Sequence, residues 1–115
     1  MDLQSFTQSD TFELIIKHPI TGEDTDIKIV LCGSDSKQYR AALSSLTETD
    51  SEKRGLELLA LCTKSWENVE FKGKSVACSK DNAIMIYTEV PFIMNDVNQA
   101  VFNRVNFMNS LGKKP

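Results

Sequence analysis

A chain of 115 residues that is 41% hydrophobic and 25% charged has the make-up of one ordinary globular domain. This composition excludes disorder as an account of the whole chain. The 13 Lys and Arg against 16 Asp and Glu leave a formal charge of -3, and the basic residues come together only as Lys53-Arg54, Lys72/Lys74 and Lys113-Lys114. Phosphate backbones are held by a clustered excess of Lys and Arg, so nucleic acid is not the expected partner.

Residues 1–10 are polar without a period and read as a flexible lead-in to a single domain over 11–111, with 112–115 as a tail. Phe12, Leu14 and Ile16 alternate with Glu13 and Lys17, and Ile27, Ile29 and Leu31 alternate around Lys28. Two arms of period two flank His18-Pro19-Ile20-Thr21-Gly22-Glu23-Asp24, a run of strand-breaking residues, which predicts a β-hairpin with an acidic tip.

After Gly33, Ser34 or Asp35 can cap a helix over about Ser36 to Leu46, with Tyr39, Ala42, Leu43 and Leu46 on one stripe. Thr47-Glu48-Thr49-Asp50 breaks it. Asp50 or Ser51 can cap a second helix reaching about Ser65, whose apolar centre Leu56–Cys62 predicts the core helix. The Trp66–Lys74 stretch turns outward, with a tight turn at Gly73. Ser79 caps a third helix with Asp81 in its first turn and Ala83, Ile84, Tyr87 and Val90 inward. Pro91 starts a last helix to about Asn109, with Ile93, Val97, Ala100, Val101, Arg104 and Met108 at helical spacing. The expected fold is α+β, an N-terminal β-hairpin followed by about four α-helices.

Catalytic chemistry finds little to work with. His18, the one histidine, falls in the predicted hairpin turn and reads as a surface residue. Cys32, Cys62 and Cys78 are an odd set without a close pair, on three different elements, and read as buried reduced thiols rather than a zinc site or a disulfide framework. The five glycines never cluster into a phosphate loop, and Glu23-Asp24-Thr25-Asp26 lacks the spacing of a calcium loop. No catalytic, metal or cofactor site is expected. Met1-Asp2-Leu3-Gln4 opens without a basic or apolar stretch, and the longest apolar run, Leu58–Cys62, is far below the ~20 residues of a membrane span. A soluble, intracellular protein is expected, with no signal peptide and no membrane partner.

What remains is surface for other proteins. The last helix carries Phe92, Phe102, Val105 and Phe107 beyond its core stripe, more apolar area than one buried face uses. Phe102 and Phe107 can equally pack on the hairpin. The acidic tip can be a contact point or a solubilising turn.

Several segments taken together resemble the tail assembly chaperones of long-tailed phages, from siphophage-like morphogenesis modules. They are Pro19-Ile20-Thr21-Gly22 between two strands, Gly33-Ser34-Asp35-Ser36 leading to Tyr39-Arg40, and Trp66-Glu67-Asn68-Val69 after a hydrophobic helix. Then come Gly73, Ser79-Lys80-Asp81-Asn82-Ala83, and Pro91-Phe92-Ile93 leading to Asn103, Asn106 and Phe107. The likeness spans about residues 11–109; its motifs are individually loose and gain weight from their order.

The resemblance implies a non-enzymatic role in the host cytoplasm: binding the tape measure protein, helping to recruit tail tube subunits, and staying out of the mature virion. It implies Phe92, Phe102, Phe107 and Met108 as contacts with the tape measure protein. Many members are also made in a longer, frameshifted form whose extension is thought to engage the tail tube protein. Leu111-Gly112-Lys113 can be encoded with a slippery heptamer, where such a site is expected. The apolar last helix also allows a homo-oligomer. Two other readings stand beside this one, a small structural virion protein (neck or tail terminator) and a phage-encoded regulator of a host protein.

Overall fold

The computed structural model describes residues 2–108, so the expectations for Leu111-Gly112-Lys113 and the 112–115 tail lie outside the described residues. The expected hairpin forms from β1 (Thr11–Lys17) and β2 (Asp24–Cys32), antiparallel with Phe12 opposite Leu31 and Leu14 opposite Ile29. Its alternation buries Ile16, Ile29 and Leu31 on one face. At the tip, Gly22 takes φ 75°, a left-handed turn conformation costly for other residues. His18 Nδ1 accepts from the backbone N–H groups of Ile20 and Thr21, at 3.1 and 3.3 Å, and Lys17 pairs with Asp24 at 2.6 Å in solvent.

The later three helices begin where their starting residues predict, whereas the first is capped by Ser36 rather than by Ser34 or Asp35. In α1 (Lys37–Ser45) the Ser36 hydroxyl accepts from Tyr39 N–H, and in α2 (Ser51–Cys62) the Asp50 carboxylate accepts from Lys53 N–H. In α3 (Lys80–Glu89) Ser79 accepts from Asn82 N–H, and Pro91 opens α4 (Pro91–Phe102).

Three expectations need correction. The second helix stops at Cys62 rather than Ser65, and the chain passes directly into β3 (Thr63–Glu67), antiparallel to β2 with Trp66 opposite Ile29. Thr63 turns its hydroxyl back onto Leu59 O and toward the Tyr87 hydroxyl, ending the helix without a Gly or Pro. The three-stranded sheet runs β1-β2-β3, so β2 is its centre. A second, two-stranded sheet follows, β4 (Glu70–Phe71) with β5 (Lys74–Ser75), around Lys72 and Gly73 at φ 53° and 79°.

The last helix ends at Phe102 rather than Asn109. Asn103 takes an extended conformation and its side chain accepts from Val105 N–H, while Asn106 Nδ2 donates to Ala100 O. These two amides close the helix and start a 3-10 turn over Arg104–Phe107. Finally, the 1–10 segment is partly tied down. Asp2 caps a 3-10 turn at Leu3–Phe6, Ser9 N–H donates to Phe107 O at 2.6 Å, and Gln8 bridges to Met108.

The helices cover one face of the sheet. Ile16, Ile29 and Leu31 share a core with Leu59 and Cys62 of α2, Ile86 and Tyr87 of α3, and Val97 and Val101 of α4. One charge is sunk at the edge of this core. Glu57 is 1% exposed, and its oxygens accept from Thr47 N–H, Thr47 Oγ1, Glu48 N–H and Lys80 Nζ at 2.9–3.1 Å. A buried carboxylate is tolerated only when bonded in this way.

The Lys80 ammonium and these donors hold the Glu57 carboxyl at about 2, below its ordinary 4.5. Because the folded-state value is depressed, the stabilisation is complete above pH 4.5 and is lost as pH falls toward 2. Glu57→Gln therefore lowers the melting temperature at neutral pH, and thermal denaturation from pH 7 to 2 shows the gap to wild type closing in that acid window. A gap unchanged at pH 2 contradicts the assignment. Gly33→Ala tests the packing around the chain ends. A Cβ there would lie 2.8 Å from the ring of buried Phe107, and overpacking of that kind costs about 2 kcal/mol in urea denaturation.

Candidate functional site

The end of α4 carries an exposed apolar side chain beside a second aromatic ring. Phe102, the last helical residue, stays 48% exposed, and its ring meets that of Tyr39 edge-on, with centroids 5.7 Å apart at 84°. Leu43 follows Tyr39 by one turn on α1 and is 43% exposed; Val105, in the 3-10 turn after Phe102, is 65% exposed. Burial beside the ring pushes the Tyr39 hydroxyl above its ordinary value, so it remains a neutral group.

A polar rim borders this face. Arg104 Nε donates to Asp35 Oδ2 at 2.7 Å and Nη2 to Oδ1 at 3.4 Å, while Gln8 Nε2 donates to Oδ2 and Arg40 Nη1 to the Asp35 carbonyl. The Arg104 guanidinium, then Gln8, hold the Asp35 carboxyl below its ordinary value. An apolar centre inside a charged, hydrogen-bonded rim is the anatomy of a protein contact site.

The four residues expected to make contacts do not come together. Phe102 is at this face. Phe107 is not available to a partner: 1% exposed, it stacks edge-on against Phe12 at 5.8 Å and fills the space over Gly33. That residue is core, because the helix ends at Phe102 and the following turn rotates its ring inward. Phe92 is half-buried against the core and lines a separate open groove of about 460 Å³ between β1 and α4, with Leu14, Ile15 and Asn103. Met108 is half-buried and bridges Gln8. Arg104, expected on the helical core stripe, is exposed in the rim.

Of the stripe expected on α1 (Tyr39, Ala42, Leu43 and Leu46), Ala42 is buried, Tyr39 is half-buried against the core and Leu43 is 43% exposed.

The remaining chemistry is sparse. A second cavity, about 530 Å³ between α2 and α3, surrounds Glu57 and Lys80, whose charges are already paired with each other. Among the described residues no group of three or more His, Cys, Asp or Glu is placed to hold a metal ion, and no helix is long and apolar enough to cross a membrane. Comparison with family models, curated proteins and solved structures finds no match to this chain.

Phe102→Ser and Phe107→Ser separate surface from core. The first lowers stability by no more than about 1 kcal/mol, whereas the second costs about 4 kcal/mol or abolishes folding, as read by chemical denaturation. Equal losses would place Phe102 in the core as well.

Proposed function

We propose that this protein is a non-enzymatic tail assembly chaperone of a long-tailed phage, which binds the tape measure protein through the face centred on Phe102 and Tyr39. The observation that carries the reading is the edge-on pair of exposed Phe102 and half-buried Tyr39, with Leu43 and Val105 exposed beside them and the Asp35–Arg104 pair at the margin. The tape measure protein is long and helical with apolar stripes, and such stripes aggregate unless covered. A helix stripe laid across Phe102, Tyr39 and Leu43 finds aromatic anchors at the centre and charge at the margin. The net charge of -3 keeps the covered complex soluble.

On this reading the chaperone works in the host cytoplasm and leaves before the virion matures. Tail tube subunits are recruited by a longer, frameshifted form. Order in the segments that resemble the family supports the same assignment, from Pro19-Ile20-Thr21-Gly22 to Asn103, Asn106 and Phe107.

Affinity capture of the N-terminally tagged protein from phage-producing cells, followed by mass spectrometry, tests it. The tape measure protein is recovered with wild type and reduced at least about tenfold with Phe102→Ser, the cost of losing one aromatic anchor. Recovery of host proteins alone makes it a regulator, and its presence in purified particles makes it a structural virion protein; either result overturns the proposal.

A further inference from the structure

Cys32 is the last residue of β2 and Cys62 the last of α2, 30 positions apart in the chain. The pairing of β2 with β3 brings them together. Leu31 lies opposite Thr63 at the end of the ladder, and Cys32 and Cys62 are the next residues beyond that pair. A disulfide needs Cα atoms roughly 4.4–6.8 Å apart, a separation that residues flanking the end of such a ladder can reach. Both side chains are 0% exposed, and each thiol shifts the titration of the other. Cys78 stands apart from this pairing, in the segment before α3, partly exposed.

We propose that Cys32 and Cys62 form a redox-active dithiol that closes to an intramolecular disulfide when the protein meets hydrogen peroxide. Cys32 is the attacking group. Its neighbour Cys62 brings the Cys32 thiol down, while Cys32 and burial push the Cys62 thiol up and keep it protonated. The Cys32 sulfur attacks one peroxide oxygen, the O–O bond breaks, and one water leaves a sulfenic acid on Cys32. The Cys62 sulfur then attacks Cys32 Sγ, displacing the sulfenic oxygen as a second water that takes up the Cys62 proton. Two thiols give up two protons and two electrons, and one peroxide becomes two waters. Both sulfurs are fully buried, so peroxide meets them only while the chain opens or folds.

The bridge closes a loop of about 30 residues that contains all of α1 and nearly all of α2. Cross-linking a loop of that length restricts the unfolded chain, so the oxidised protein melts about 10 °C higher than the reduced protein.

The test is peptide mapping of the full-length protein after peroxide treatment, once on the folded protein and once during refolding from denaturant, where burial does not limit access. Expected are a Cys32–Cys62 linked peptide, Cys78 still alkylatable, and a melting temperature raised as above and restored by dithiothreitol. Cys78→Ser leaves the result unchanged. Cys62→Ser, where it folds, stops at a dimedone-reactive sulfenic acid on Cys32. Separately alkylated Cys32 and Cys62 in both arms overturn the proposal, as does a bridge to Cys78 or between chains.

Discussion

The rest of this structure depends on the ring of Phe107 lying over Gly33, where a side chain would have no room. That contact lets the segment after α4 fold back across the end of β2. Around it gather the bonds that close the domain: Ser9 N–H to Phe107 O, Ser34 N–H to Val101 O, and Gly33 N–H to Asp10 O. A ring so placed cannot lie on a continuing helix, so α4 must end before it. Ending at Phe102 leaves that side chain on the outside beside Tyr39. One buried aromatic thus decides the exposure of another.

The position of α1 is set from both ends. At its start Ser36 bonds Gly33 O and caps Tyr39 N–H; beyond its end Thr47 and Glu48 give their N–H groups to Glu57. A helix of nine residues has little stability of its own. Held in this way, it presents Tyr39 and Leu43 in a fixed direction, and a preformed face loses less entropy on binding than a flexible one. The buried Glu57 costs desolvation, which its four donors and the Lys80 charge offset.

Where the chemistry was local, the fold was legible. Period-two alternation defined the hairpin, and Asp50, Ser79 and Pro91 marked helix starts because a cap acts within three residues; for α1 the cap is Ser36, one or two residues past the expected Ser34 or Asp35. What the sequence hid was decided at a distance. Thr63–Glu67 follows a helix without punctuation, and only its pairing to β2, over 30 residues earlier, makes it a strand. The end of the same ladder brings together Cys32 and Cys62, which no spacing rule connects. Helical periodicity through Arg104 and Met108 masked the stop at Phe102; Asn103 and Asn106 carried that signal, but an asparagine closes a helix only where its amide reaches the backbone. Phe102 and Phe107 looked alike in sequence and differ because the turn between them reverses the direction of the second.

On the proposed reading the docking face lies on α1 and the end of α4, and hydrogen–deuterium exchange with and without the tape measure protein tests that placement most directly. Added protection over Lys37–Ser45 and across Phe102 to Val105 is the predicted result. Protection confined to β1 and the groove beside Phe92, with α1 unchanged, would contradict it.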